Sequence, residues 1–438
     1  MKPKVVLLGA GSFFFGRQFI WSMVHSEVLR HGVAILVDTD ETRLNKMVKL
    51  AQKVISINNS PLKLEWSCNH LDVLKDADFI ILSFSNKGVH YREIDCRLAE
   101  KYGIRLCCGD TIGPGGVFKT LRELPTVLNI ANDIERICPD AWVINYVNPA
   151  AVIGLGLARY TKLKVFSLCD GLYMPYIKKR YLKMINKEND DVDKLDLTIA
   201  GTNHFTWLLD IKYNGEDVSS DLRKHVESLA LEDEQSNFAY SIKLWDVYGA
   251  YPAIIEHIKE YVPFWQGRGM LDDKPATLEI FDAQARRDWH AKMWEEVDAY
   301  VSGTTDIKQF NENYQHDVAT DVIENMWING SQQFYISTLN NGAVPNLPDN
   351  AFIEILCDVS MNGPIPKPAV LFPVGLHSLQ MQVLDAHELT VEAVVKKDKN
   401  ILRRALLRDP LTVSITDTDA MIKDFFNEER EALPIEWF

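Results

Sequence analysis

The segment "KVVLLGAGSFFFGR", residues 4 to 17, constrains the fold of this chain most, because the apolar run Val5 to Leu8 breaks directly into a glycine turn. Such a run reads as a buried parallel strand. Gly9, Gly11 and Gly16 then fall on a G-x-G-x-x-x-x-G variant of the dinucleotide-binding fingerprint, the third glycine coming later than in the common form. Gly9 permits the tight turn and Gly11 lets the backbone approach a pyrophosphate. Ser12 closes the turn ahead of a helix whose free N–H groups and positive dipole end favour an anion. The next apolar run, "VAILVDTD", ends at Asp38, where a carboxylate can accept both ribose hydroxyls. An acid there disfavours a 2′-phosphate, so the turn calls for NAD rather than NADP.

The stretches "ADFIILSFS" (77 to 85), "AWVINYVNP" (141 to 149) and "LKVFSLCDG" (163 to 171) also read as strands running into polar or glycine-bearing loops, with amphipathic helices between them. That rhythm is an α/β doubly wound parallel sheet, which binds ligands at the carboxyl ends of its strands. After about residue 195 the pattern changes to mixed polar strands and long helices such as "ARRDWHAKMWEEVDAYV". We therefore expect a Rossmann-like NAD-binding domain over 1–195. A C-terminal α+β domain over 196–438 would serve substrate, metal and oligomerisation, an organisation like that of lactate and malate dehydrogenases.

A chain of 438 residues that is 47% hydrophobic can bury a core of that size. Its net charge of −14 argues against nucleic acid and anionic membranes as partners. Seven cysteines without regular disulfide spacing fit a reducing compartment. No apolar run approaches the roughly 18 residues of a membrane span. The expectation is a cytoplasmic protein acting on a small molecule.

The strand ends carry the chemistry. "GDTIGPGG" (109 to 116) contains Asp110, and its glycines and Pro114 are expected to turn the chain before a helix beginning near Val117, leaving N–H groups for a ligand. "NYVNPA" places Asn145 and Asn148 beside Pro149, where an amide can bond a sugar hydroxyl or a cofactor. "LCDG" sets Cys169 beside Asp170, and "AGTNHFTW" sets Asn203 beside His204. Each residue has a bland alternative: a buried thiol, a turn former, a core histidine. Together, at successive strand ends of a nucleotide-binding sheet, they form a site. A thiolate and an imidazole with open positions suit a borderline divalent ion used as a Lewis acid. No third strong protein ligand for zinc is evident, and manganese completed by substrate hydroxyls is a plausible choice.

These segments resemble the NAD- and manganese-dependent glycoside hydrolases of family 4. The carriers of the resemblance are "GAGS" at Gly9 to Ser12, "DTIGPGG" at Asp110 to Gly116, "NYVNPAA" at Asn145 to Ala151, "CD" at Cys169 and Asp170, "GTNHFTW" at Gly201 to Trp207, and "NNGAVPNLP" at Asn340 to Pro348. The resemblance implies that Cys169 and His204 bind the metal, that Asn148 binds cofactor and substrate hydroxyls, and that Asp170 protonates the leaving group. Asn203 and Asp110, from the same strand-end segments, are expected among the substrate-binding residues. "YGAYPAIIEHIKEY" (248 to 261) looks more like the α-galacturonidase and α-galactosidase branches than the 6-phospho-α-glucosidases. The implied chemistry is transient oxidation at C3, removal of the C2 proton, elimination of the aglycone, addition of water and re-reduction. This family is an exception to the two-carboxylate scheme.

The base falls in the same segment, since relatives place a tyrosine or an aspartate shortly after a proline there. Counting from Pro252 reaches Glu256, with Tyr248 and Tyr251 as rivals and His257 as a nearby metal-shell or substrate residue. A carboxylate is already ionised at neutral pH, whereas a phenol titrates near pH 10. The expected substrate is an α-galacturonide, α-galactoside or α-glucoside, and Lys87, Arg92 and Lys119 are candidate cations for an anionic sugar. The resemblance also implies a homodimer or homotetramer. The alternative function, a malate- or lactate-type dehydrogenase, would require an Arg–Asp–His set that the expected strand ends lack.

Overall fold

The computed structural model describes residues 2–233, 236–266, 278–313 and 317–438. Short runs dense in Val, Ile, Leu and Phe become the strands β1 (Lys4–Leu8), β2 (Val33–Val37), β3 (Lys63–Ser67), β4 (Phe79–Leu82), β5 (Trp142–Asn145) and β6 (Lys164–Ser167). They are joined by the helices α1 (Phe15–His25), α2 (Glu41–Ile57), α3 (Gly88–Lys101), α4 (Gly113–Ile137) and α5 (Ala150–Tyr160). β1, β4 and β5 are buried almost throughout, as strands covered on both faces must be. All neighbouring pairs among the six are parallel, in the order β3-β2-β1-β4-β5-β6. This is the doubly wound dinucleotide-binding order, with its switch point between β1 and β4.

The sheet does not end at β6. Beyond α6 (Tyr176–Met184) come β7 (Leu195–Thr202), β8 (Phe205–Tyr213), β9 (Glu216–Asp217), α7 (Ser219–Glu232), α8 (Asn237–Tyr248), β10 (Tyr251–Pro252), α9 (Ala283–Ser302), β11 (Gln333–Leu339), β12 (Phe352–Ser360) and β13 (Gly363–Pro366). The order β6-β11-β12-β7-β8-β10 continues the same sheet, now with antiparallel pairing. The expected α/β class with a parallel sheet and a C-terminal α+β portion is what the chain adopts. Among the described residues no helix is long and apolar enough to cross a membrane.

The GPGG segment is a correction. It is the first turn of α4, which starts at Gly113 rather than near Val117. Pro114 suits the start of a helix because its missing N–H needs no partner there. The Gly113 N–H is taken by the buried Asp409 carboxylate, 2.9 Å away, so this helix start is capped by the protein itself. Burial, opposed by the N–H groups of Leu411 and Gly113, raises the Asp409 carboxyl to about 6.

Candidate active site

The glycine turn lies at the switch point. Gly9 has φ +100, and a Cβ built on it would stand 2.8 Å from the backbone carbonyl of Ser83, just after β4. At Gly11 a Cβ would stand 2.7 Å from the Asp38 carboxylate. Both positions therefore demand glycine for close approach. Asp38 Oδ2 accepts from the Gly11 N–H at 2.8 Å and Oδ1 from the Asp40 N–H at 2.8 Å, which fixes the carboxylate beside the turn. The Ser12 hydroxyl accepts from the Phe15 N–H at 3.3 Å and stabilises the entry to α1. Glycine cradle, fixed acid and helix start together fit a dinucleotide.

Phe15, the first residue of α1, also borders a cavity of about 420 Å³, a volume within the usual range for small-molecule sites. Tyr146 and Asn148 reach it from the end of β5, and Leu168, Cys169, Asp170 and Gly171 from the end of β6. His204, Ile254, Glu256 and His257 close it from the C-terminal half, with Arg180 from α6.

His204 occupies the two-residue turn between β7 and β8 with φ +65, a conformation in which histidine is among the better-tolerated residues. The hairpin brings its Nε2 to 3.3 Å from the Cys169 sulfur, across 35 residues of sequence. Zinc bond lengths of about 2.0–2.3 Å put a nitrogen and a sulfur ligand roughly 3.1–3.6 Å apart. The pair is therefore spaced for one shared ion, and its donor types suit a borderline metal. Burial, followed by the neighbouring His257, lowers the His204 imidazole to about 3, so it is neutral and ready to ligate. Burial, then the Glu354 and Asp170 carboxylates, pushes the Cys169 thiol up to about 12.

Of the expected catalytic set, Asp170 and Glu256 line the cavity and Tyr248 does not. The Tyr248 ring instead packs 5.6 Å from Trp207 and 6.3 Å from Phe264, and burial raises its phenol further above neutral. Tyr251 is also absent from the lining and fully buried. Asn203 and Asp110 lie behind the cavity rather than on its surface. Asn203 is 3% exposed and donates to both oxygens of Glu354 at 3.4 Å. Asp110 is paired with Arg92 and with Lys119. Burial alone would raise the Asp110 carboxyl, but Arg92 and then Lys119 outweigh it and hold the carboxyl well below its usual range.

Arg92 and Lys119 are both held by the Asp110 carboxylate, and neither lines the cavity. Among the described residues the cation that lines the cavity is Arg180, whose Nη2 stands 3.8 Å from the Glu256 carboxylate. Sequence reading missed it because "YIKKRYLKM" looks like an ordinary basic solvent face. It also missed Glu354, a fully buried acid in β12 whose carboxyl burial raises to about 7 against the opposing Asn203 bond. The available signal was a carboxylate inside the apolar run "FIEIL".

Residues 4–186 match the model of the family 4 glycosyl hydrolases, and residues 199–412 match that of the family 4 glycosyl hydrolase C-terminal domain. An α-galactosidase of Bacillus subtilis (strain 168) is 27% identical over 440 residues, covering 98% of this chain and 99% of that protein. An α-galacturonidase of Thermoanaerobacterium saccharolyticum is 26% identical over 457 residues, covering 98% of this chain and 96% of its own length. The fold is similar to a 6-phospho-β-glucosidase of Thermotoga maritima solved with manganese, NAD+ and glucose-6-phosphate, at a TM-score of 0.80 and 21% identity, covering 98% of this chain and 99% of that one. The two family models span nearly all of the chain in the expected order, and the chain belongs to glycosyl hydrolase family 4, a family of glycosidases.

Proposed function

We propose that this chain hydrolyses an α-glycoside, of the galacturonide, galactoside or glucoside class, with NAD and Mn²⁺ as its cofactors. The observation that carries the reading is the Cys169–His204 pair, 3.3 Å apart on a cavity that begins at the first residue of α1, directly after the glycine turn. Residues 1–195 then serve as the NAD-binding unit and 196–438 supply the rest of the site. When bound, NAD supplies a reversible hydride acceptor and the divalent ion a Lewis acid.

The residues of the chain do the remaining work. Gly9, Gly11 and Asp38 hold the dinucleotide, and Cys169 with His204 holds the ion, two protein donors leaving the other positions to oxygens. Asn148, on the cavity wall after β5, bonds a sugar hydroxyl. Glu256 removes the C2 proton, and Asp170 delivers a proton to the departing glycosidic oxygen. Arg180, 3.8 Å from the Glu256 carboxylate, offers a donor to a substrate oxygen.

Incubation with NAD⁺, Mn²⁺ and a panel of nitrophenyl α-glycosides should release nitrophenol with no net NADH. Accumulation of NADH with no nitrophenol would identify a dehydrogenase and overturn the reading. The two carboxylates separate in a second experiment. Glu256→Gln should abolish exchange of the sugar C2 proton with deuterated water. Asp170→Asn should retain that exchange and lose turnover mainly on glycosides with poor leaving groups, by about 10²–10⁴-fold. If Glu256→Gln exchanges C2 at the wild-type rate, the base lies elsewhere.

A further inference from the structure

We propose that Cys107, Cys108 and Glu260 form a second cation site, separate from the Cys169–His204 pair, for a thiophilic divalent ion of the zinc class. The ligating atoms of these three side chains all lie within 4.8 Å of one another. They arrive from two distant segments. The cysteines lie in the stretch between α3 and α4, and Glu260 lies in the short 3-10 turn Ile258–Tyr261.

Glu260 is fully buried. The N–H groups of Gly109, at 2.8 Å, and Cys108, at 3.1 Å, hold its carboxylate against the thiols. His257 Nδ1 lies 2.9 Å from the Cys108 sulfur, at the margin of the cluster. Two sulfurs and a carboxylate oxygen are donors that zinc takes, with water or another donor completing a tetrahedron, whereas magnesium and calcium want oxygen alone. Both thiols are only half-buried, which leaves an ion a way in.

The new site shares no ligand with the first, and none of its three core residues lines the cavity. Its link to the cavity is His257, whose ring stacks on His204 with centroids 4.2 Å apart and planes within 8°. On binding, the ion replaces two thiol protons, which pass to the buffer, and no oxidation state changes.

A cadmium titration of the full-length Cys169→Ser protein tests this, because any strong thiolate-to-cadmium absorption must then come from other cysteines. One Cd²⁺ per chain should give that band, and adding Cys107→Ser should weaken binding at least about a hundredfold, beyond what loss of an outer-shell partner costs. An unchanged titration in the double variant would overturn the site. A readout on the unmodified protein guards against a misfolded variant. Two equivalents of Zn²⁺, enough to fill the Cys169–His204 pair as well, should protect Cys107 and Cys108 together from alkylation, mapped by peptide mass, while Cys68, which is exposed, stays reactive. Equal labelling of Cys107 and Cys108 with and without zinc rejects the proposal.

Discussion

Cys169→Ser should lower kcat/KM at least about a thousandfold, a loss of roughly 4 kcal/mol of transition-state stabilisation. A serine hydroxyl stays protonated where a thiol can be displaced to thiolate, so the site loses its one anionic donor while keeping its shape. NAD affinity should stay within about twofold, because the glycine turn is a separate structure whose contacts do not include the sulfur. Titrating turnover with Mn²⁺ and binding with NAD separately distinguishes the two effects. The wild-type metal affinity should also rise about tenfold per pH unit, since each ion bound displaces one proton. The sign follows from the two ligands. The Cys169 thiol, raised to about 12 by burial and then by Glu354 and Asp170, is protonated in ordinary buffers. The His204 imidazole, lowered to about 3 by burial and then by His257, is already neutral, so binding displaces no imidazolium proton. Full turnover of Cys169→Ser in the presence of a chelator would refute the metal assignment.

Arg122→Met should destabilise the fold by about 3–5 kcal/mol, the usual result of removing one partner from a buried ion cluster. Arg122 donates to Asp95 at 2.7 and 3.0 Å and to Glu429 at 2.6 Å. The side chains are 2%, 1% and 0% exposed. The guanidinium also lies 5.0 Å over the Tyr91 ring, so one side chain ties α4 to α3 and to the segment after the helix Ile415–Glu428. Burial, and then Asp95, already raises the Glu429 carboxyl well above its ordinary range with Arg122 in place. Without the cation, the folded state favours the protonated acids, and the deficit should shrink as the buffer is taken from mildly alkaline to mildly acidic. Denaturant midpoints across pH measure both effects. A loss under about 1 kcal/mol, typical of exposed ion pairs, would show that the cluster is hydrated in solution.

Local sequence carried much of the architecture. The run Val5 to Leu8, the glycines at 9 and 11 and the acid at Asp38 are close enough in the chain to specify a strand, a turn and a carboxylate beside that turn without outside help. Cys169 and Asp170, or Asn148 beside Pro149, were legible for the same reason: each follows an apolar strand, and strand ends are where a parallel sheet opens. The GPGG segment misled because its composition suits a turn. The cap that lets it begin a helix is Asp409, 296 positions away in the chain.

What the tertiary structure decided is which polar groups meet. The sequence by itself determined a dinucleotide-binding sheet with thiol, imidazole and carboxylates near its strand ends, because those are properties of short segments. Pairing depends on long-range register, which no short segment encodes. The β7–β8 hairpin puts His204 on Cys169, and α6 turns Arg180 toward Glu256. The fold also buries Asp110 between Arg92 and Lys119 and sets Tyr248 among aromatic rings away from the cavity. Whether a charged or polar side chain faces a substrate or a partner follows from desolvation: once buried, each such group must find a countercharge or a hydrogen bond, and only packing of the whole chain assigns one.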